Sequence, residues 1–193
     1  MKKQPHITEQ TKQNLIKAFL FLNSTREIQK ITVNDICKIV SYNHSTFYQY
    51  FSDIYALRNA IENDLLQKLD LLFNTHLNNF LSENYLDVFL DFYSDHSEAF
   101  LILLGKNGDP FFYQKIKDTL RPIIFNTLSI DESTLENRYI IEFTMSAMIN
   151  TITCWFENDK DISKNQLAKI QYSIISNGII PLLKKTPEKN SLK

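Results

Sequence analysis

The residues best suited to recognition chemistry form a short run, Asn43 to Phe51, which reads Asn-His-Ser-Thr-Phe-Tyr-Gln-Tyr-Phe. Its polar side chains are short or planar hydrogen-bonding groups, the types that reach phosphate oxygens and base edges in a nucleic-acid groove. Its aromatic residues Phe47, Tyr50 and Phe51 are spaced to form the inner face of a short helix. The run therefore combines a polar outer face with an apolar anchor.

Helical periodicity and capping signals predict the elements that position this run. Thr32 and Asp35 have the spacing of a capping box, before a second helix whose apolar side is Ile36, Ile39 and Val40. Ser41-Tyr42 should break this helix, Asn43 should cap the third, and Asp53 should cap a long fourth helix. A first helix of about three turns should precede them. Its predicted inner face is Leu15, Ala18, Phe19 and Leu22.

Two short helices joined by a tight turn, with another helix behind them, make a helix-turn-helix. In that motif the second helix of the pair enters the major groove and the first braces it. Spacing alone leaves an alternative open, an ordinary helical hairpin with polar residues on its solvent face.

The segments Ile31-Thr-Val-Asn-Asp-Ile36 and Asn43 to Phe51, followed by Leu57, resemble the DNA-binding region of the tetracycline-repressor (TetR/AcrR) family. The resemblance covers about the first 60 residues, and the Ser-Thr-Phe-Tyr-x-Tyr-Phe run is its most specific part. The back half, including the segment from Gly105 to Pro110 and Trp155, is similar to a C-terminal region of low-GC Gram-positive members. Members of the family are typically homodimeric repressors that a small molecule releases from operator DNA.

The resemblance implies roles for eight residues. Phosphate contacts are expected from Thr32, Thr46, Tyr48 and Tyr50. Base-edge contacts are expected from Asn34 and His44, with Asn43 and Ser45 as neighbours. Lys30 and the Lys2-Lys3 arm are expected to add salt-sensitive attraction to phosphates.

The sequence departs from the family pattern at three positions. Ser41 stands where a glycine is usual, so the turn is expected to be strained or differently shaped. Tyr42 replaces a small aliphatic residue. Ile54 replaces a phosphate-contacting lysine, although the backbone N–H groups at the start of the fourth helix remain available to a phosphate.

Composition agrees with a helical protein. The 193 residues contain only 3 Gly and 5 Pro, which favours long helices and excludes a glycine-rich phosphate loop. The net charge of -1 is unevenly distributed, because residues 1–57 hold seven basic and four acidic residues, a net charge of +3.

The sequence shows neither a signal-peptide pattern nor a membrane-spanning stretch, and two distant cysteines indicate no disulfide framework, so a cytoplasmic protein is expected.

The fold class predicted is all-α: a three-helix DNA-binding domain in residues 1–57, a helical effector-binding and dimerisation domain in residues 58–183, and a disordered tail in 184–193. Gly105 is predicted to be a left-handed cap and Pro122 to bend or break its helix. Ser163 and Gln166 form a second capping box, which opens a last helix that Gly178 and Pro181 should close.

The domain of residues 58–183 is expected to bind a small apolar or aromatic effector and a second copy of the chain. The candidate effector residues are His76, Tyr93, Phe100, Phe112 and Asn150. Core packing is the alternative explanation for the aromatic residues among them. The expected dimer surface comprises Ile140, Phe143, Ala147, Thr151 and Trp155 with Ile170, Ile174 and Ile175.

The leading interpretation is a ligand-responsive regulator, a repressor in preference to an activator, that binds double-stranded DNA as a homodimer. No catalytic residue, metal site, cofactor or membrane partner is predicted. The group Asp91, Asp95, His96 and Glu98 reads as a solvated helix end and not as a metal cluster, because it spans a helix boundary and lacks a closed ligand spacing. The alternative is a helical protein-interaction module of the same fold that has lost DNA binding. A helical enzyme ranks third. Sequence leaves the operator, effector and regulated genes unidentified.

Overall fold

The structure, a computed structural model, describes residues 5–75 and 83–183, and in these ranges the chain forms helices and no strand. The predicted all-α class is therefore confirmed. The α-helices are α1 Pro5–Asn23, α2 Val33–Val40, α3 His44–Tyr48, α4 Ile54–Thr75, α5 Glu83–Asp95, α6 Ser97–Leu104, α7 Phe112–Leu128, α8 Leu135–Glu157, α9 Lys164–Ile174 and α10 Ile180–Leu183. A 3-10 turn covers Ile28–Lys30, and a π-helical turn, Ile175–Ile179, joins α9 to α10. None of the helices described has the length and apolarity needed to cross a bilayer.

The described chain divides into two compact units. The head unit comprises residues 5–68 and 96–114, and the second unit comprises residues 69–75, 83–95 and 115–183. The head unit thus contains the helix-turn-helix segment together with the first part of α4 and a later segment around α6. The functional division at residue 57, which sequence suggested, stays a prediction, and the tail from 184 lies outside the described residues.

The core of the head unit follows the predicted helical spacing. The inner face of α1 is buried at all four predicted positions, Leu15, Ala18, Phe19 and Leu22. Helix α1 is longer than the three turns expected, since it begins at Pro5. On α2 the prediction is partly wrong: Ile36 is fully buried, whereas Ile39 is 47% exposed, because only one side of a two-turn helix faces α1.

The capping signals read from the sequence are realised in the structure. Both capping boxes, Thr32 with Asp35 and Ser163 with Gln166, are present. In each, the hydroxyl of the first residue accepts a hydrogen bond from the backbone N–H of the second, and the side chain of the second accepts one from the backbone N–H of the first. The Asp53 carboxylate accepts from the Ala56 N–H at 2.7 Å at the start of α4. These bonds satisfy amide groups that the helix cannot pair internally.

Polar contacts explain why residues 96–114 belong to the head unit. The fully buried Asn23 amide donates to the carbonyl of Arg26 and, at 2.9 Å, to that of Asn107. Arg58 on α4 forms ion pairs with Glu62 at 3.2 Å and with Asp109 at 3.7 Å, and both carboxylates are buried. Charged groups removed from water in this way are stable only when paired, so the segment after α6 is held at a defined place.

The prediction of a left-handed cap at Gly105 is wrong, because its backbone is extended, with φ −75° and ψ −179°. Close backbone approach explains the glycine instead. A Cβ at Gly105 would lie 2.5 Å from the carbonyl oxygen of Leu101, and one at Gly108 would lie 2.0 Å from that of Leu103. Both distances are shorter than a carbon–oxygen contact permits, so the turn after α6 needs glycine at these positions.

The second unit departs from the sequence prediction at the end of its last helix. Helix α7 continues through Pro122, so the predicted break is absent, and a bend there stays a prediction. Gly178 and Pro181 do not end the last helix, since the π-helical turn contains Gly178 and α10 contains Pro181. Pro181 directly follows the π-helical turn, whose last hydrogen bond runs from the Ile180 N–H to the Ile175 carbonyl, and a Cβ at Gly178 would meet nothing within 4 Å.

The strain predicted at Ser41 is present, because this residue ends α2 in the left-handed conformation with φ 54° and ψ 40°. Replacing Ser41 with glycine should raise the free energy of unfolding by about 1 kcal/mol, since a side chain is disfavoured in this region. For a chain of this size the melting temperature should rise by roughly 2–4 °C, measured by calorimetry. Ser24→Gly, at an exposed position without positive φ, is the control. Equal effects of the two substitutions would contradict the strain.

Candidate nucleic-acid interface

Helix α3 is short, and aromatic packing holds it against the head unit. Phe47 is fully buried, and its ring lies 5.8 Å from that of Phe51 and 5.6 Å, edge to face, from that of Tyr48. A buried aromatic side chain of this size dominates the stability of a five-residue helix, because so short a helix is unstable alone. The outer face of α3 is therefore presented on a packed support.

The structure leaves the eight predicted DNA-contacting residues accessible. The exposed ones are Thr32, Asn34, Asn43, His44, Ser45 and Tyr48, and the half-buried ones are Thr46 and Tyr50. They lie at the start of α2, in the turn, and along and just after α3. Their individual roles toward DNA stay predictions.

Two of these residues differ in how far their polar groups are already engaged. Asn43 precedes α3 as predicted, but its side chain makes no capping bond, which leaves its amide available. The Thr32 hydroxyl donates to the Asp35 carboxylate at 2.6 Å. This bond lowers the pKa of Asp35 from its ordinary value and commits the Thr32 proton to the cap. A phosphate contact from Thr32 would therefore compete with the capping box.

Two departures from the family pattern have structural roles that sequence did not reveal. The Tyr42 phenol accepts a hydrogen bond from the Asn14 amide at 2.7 Å, which ties the turn to α1. Ile54 is buried with 7% exposure and contributes to the core at the start of α4. The Asn14–Tyr42 bond joins residues 28 apart in the chain, and no local sequence signal indicates such a pair.

The positive charges expected to attract phosphates are only partly free. Lys30 is exposed but forms an ion pair with Glu27 at 3.0 Å, and exposed pairs of this kind are weak enough to exchange for a phosphate. The Lys2-Lys3 arm lies outside the described residues. Hydrogen-bonding groups therefore make up most of the described interface.

The structure does not gather the candidate effector residues into one site. His76 lies outside the described residues. Phe100 and Phe112 belong to the head unit, where their stacked rings lie 6.2 Å apart, fully enclosed in its core. In the second unit, the exposed Asn150 donates to the Ser146 carbonyl. Their part in effector binding stays a prediction.

Tyr93 is also committed to the core of the second unit. Its hydroxyl lies 3.1 Å from that of Thr153, and its ring packs 5.2 Å from that of Phe156. Burial raises the pKa of Tyr93 to about 12. The phenol therefore remains protonated at neutral pH.

The second unit encloses an apolar cavity that sequence did not locate. Its free volume is about 60 Å³, and it is partly open to solvent. Thr144 is the one polar residue among the described residues that line it. The others are Phe73, Leu86, Phe89, Leu120, Ile124, Leu128, Ile141, Met145, Met148, Ile149, Ile175, Ile179, Ile180 and Leu183. Apolar walls with few polar groups are typical of sites for small organic ligands.

Helices α8 and α9 carry an exposed apolar face, which we call the α8–α9 face. Its members are Phe143, Ala147, Thr151, Ile170 and Ile174, all exposed. Phe143 is 63% exposed and Ile174 is 56% exposed. Trp155 was expected on this surface, but it is buried and its Nε1–H donates to the Ile162 carbonyl at 2.7 Å. That prediction is wrong, because the indole faces the core of its own unit.

A helix-turn-helix head with a separate helical unit defines a class of DNA-binding transcriptional regulators. Residues 81–177 match the TetR family model described as "Transcriptional regulator C-terminal region", which spans half of the chain. The chain belongs to the TetR family of transcriptional regulators, as its sequence resemblance indicated. Regulators of this family bind DNA and small-molecule effectors and are not enzymes. In the described residues no group of three or more His, Cys, Asp and Glu is arranged to hold a metal ion.

Solved structures share the fold. A TetR transcriptional regulator from Streptococcus agalactiae is 22% identical with a TM-score of 0.65, covering 88% of this chain and 96% of that one. The dihydroxyacetone kinase operon activator DhaS is 24% identical with a TM-score of 0.55, covering 90% and 96%. The fatty acid degradation regulator FadR from Bacillus halodurans is 14% identical with a TM-score of 0.63, covering 93% and 98%. No curated protein matches the chain.

Proposed function

We propose that this chain is a ligand-responsive repressor that binds a palindromic operator as a homodimer. Residues 1–57 read the DNA, and residues 58–183 bind the effector and the second copy. A small apolar or aromatic effector releases the DNA. These assignments refine the family membership and rest on the surfaces described above.

The observation that carries the proposal is the exposed polar face of the turn and α3. Asn43, His44 and Ser45 are all exposed, whereas Phe47 beneath them is fully buried. A polar helix start on a rigid apolar anchor is what major-groove recognition needs, because the side chains that read bases must be held in register. A helical hairpin with a merely solvated face would not need so large an anchor.

The α8–α9 face supports a two-fold dimer. Large apolar side chains such as Phe143 and Ile174 are more than half exposed and lie close to one another, since both line one groove. Covering such a patch removes apolar surface from water. A two-fold axis also sets two recognition helices about 34–36 Å apart on a palindromic site.

The apolar cavity supports effector binding. Its walls contain Met145 and Met148, whose flexible side chains adapt to ligand shape. An effector releases DNA only by binding the DNA-incompetent form more tightly. The cavity is the place where the second unit can supply that difference.

A binding assay over a range of salt concentrations tests the proposal. DNA from upstream of the gene should bind, with an affinity that falls as salt rises, because phosphate binding releases counterions. A reporter fused to that DNA should increase when the gene is deleted. Absent or salt-independent binding would contradict operator recognition. A falling reporter would indicate activation, the activity for which DhaS is named.

A further inference from the structure

A groove between α8 and α9 adjoins the apolar cavity in the second unit. Its free volume is about 60 Å³, and it is partly open to solvent. The groove and the cavity share four wall residues, Thr144, Met148, Ile175 and Ile179. Two of these, Ile175 and Ile179, begin and end the π-helical turn. The two spaces are therefore adjacent, and an elongated ligand that reaches the groove from the cavity would lie beneath the α8–α9 face, which the second copy covers in the proposed dimer.

Gln171 places a buried side-chain amide in the wall of this groove, and the described residues provide no structural reason for it. Its side chain lines the groove and is only 5% exposed. Neither Oε1 nor Nε2 has a hydrogen-bond partner in the part of the chain that the structure describes. A buried amide left without partners costs free energy, so native proteins nearly always pair such groups. An unpaired donor and acceptor at one residue indicates a partner that supplies both.

The other polar side chains in the groove wall do not meet this need. The Thr144 hydroxyl donates to the Ile140 carbonyl at 2.7 Å, and the Thr151 hydroxyl donates to the Ala147 carbonyl at 2.6 Å. Both hydroxyl hydrogens are thus used within α8. The Gln171 carbonyl therefore lacks a donor among the side chains that line the groove.

Charge is also absent from this environment. Among the described residues that line the cavity and the groove, none is acidic, basic or a histidine. An ionised ligand group would lose its hydration there without gaining a counter-charge. The site therefore favours an uncharged head group.

We propose that the effector is a neutral amphiphile whose apolar tail fills the cavity and whose head, with one donor and one acceptor, pairs with Gln171. A primary carboxamide has this complementarity, since it can exchange two hydrogen bonds with a glutamine amide. The inference rests on the proposed function, because it takes the ligand bound in the cavity to be the effector that releases DNA. It makes Gln171 the residue that selects the head group.

Three probes that share a six-carbon chain test the head-group preference: hexanamide, methyl hexanoate and hexylammonium. The chain has three methionines, of which Met145 and Met148 line the cavity. Labelling the methionine methyl groups with carbon-13 therefore gives NMR signals that report binding at this site, without DNA. Hexanamide should bind about tenfold more tightly than either other probe, as expected for one additional hydrogen bond and for an avoided desolvation cost.

Gln171→Leu removes the amide and nearly conserves the volume. The variant should fold with an unchanged or higher melting temperature, because two unpaired polar atoms are removed. Its affinity for hexanamide should fall about tenfold, to that of methyl hexanoate, whose own affinity should stay within about twofold. Gln13→Leu, the same change at an exposed position of α1, should preserve the preference.

Equal binding of hexanamide and methyl hexanoate to the unmodified chain would overturn the inference, as would methionine signals that respond to no probe. A preference retained in Gln171→Leu would also overturn it. Should that substitution instead weaken dimerisation in sedimentation experiments and spare the preference, the second copy supplies the partner and the ligand proposal is wrong. Hexanamide binding that leaves DNA affinity unchanged would contradict effector release but not the assignment of Gln171.

Discussion

Replacing Asn34 and His44 together with alanine should lower the affinity of the proposed dimer for its operator by about 1,000-fold or more, because each base-edge contact is worth roughly 1–3 kcal/mol and each is made twice. Both side chains are exposed in the unbound chain. Their removal should therefore leave the stability of the head unit nearly unchanged. Fluorescence anisotropy with operator and scrambled DNA measures the effect.

The loss should be specific to sequence. Affinity for scrambled DNA and the slope of affinity against salt should change little, since neither residue is a lysine or arginine that neutralises a phosphate. Tyr48→Phe is the comparison, because loss of a phosphate contact should weaken binding to both DNAs equally. Asn59→Ala on the exposed side of α4 is the inert control.

Unchanged preference for the operator in the Asn34/His44 double variant would refute the assigned base contacts. If a partner protein were recovered instead of DNA, the interaction-module alternative would gain support. The phosphate roles of Thr46 and Tyr50 would then also require reassignment, because they were inferred from the same resemblance.

Replacing Phe143 with aspartate should raise the dissociation constant of the dimer by about 100-fold or more, the size of a central aromatic contact in an interface. In a two-fold interface the substitution occurs on both copies, so two carboxylates must be buried or the copies must separate. Because Phe143 is 63% exposed in the single chain, the fold of that chain should survive. Sedimentation velocity over a range of concentrations measures the shift.

Phe111→Asp is the matched control for the dimer. It makes the same substitution at a residue that is 69% exposed and that belongs to the head unit, not to the α8–α9 face. Its dimer dissociation constant should stay within about twofold of the original. Circular dichroism should report unchanged helical content for both variants.

Loss of the dimer should also weaken operator binding, since two half-sites bound by one particle share a single association cost. Phe143→Asp should therefore bind a half-site with the affinity of the unmodified chain, while losing the advantage of the palindrome. A dimer unaffected by the substitution would place the contact on another surface.

Sequence predicted correctly the features that depend on residues close together in the chain, and it failed for features that depend on residues far apart. Both capping boxes and the Asp53 cap were predicted correctly, because each joins groups three residues apart. The inner face of α1 was also correct, since helical periodicity alone determines which side chains share a face. Family membership followed from a short run of residue types around α3.

Predictions that needed knowledge of distant atoms were wrong or incomplete. Gly105 was read as a left-handed cap, whereas its role is to let the backbone pass close to Leu101. Trp155 was placed on the outer face of α8, yet it hydrogen-bonds the Ile162 carbonyl inside its own unit. A glycine or a tryptophan can occupy several structural environments, and only the packing of the folded chain determines which one it occupies.

Sequence by itself determined the all-α class, both capping boxes, the Asp53 cap and the polar run at the start of α3, because these depend on local bonds and on a repeating pattern. Tertiary structure alone decided which aromatic residues enclose a cavity and which ones fill a core. It also brought Asn14 to Tyr42 and left Gln171 unpaired among apolar neighbours. Side chains far apart in the chain meet only after packing, so no local signal records such contacts.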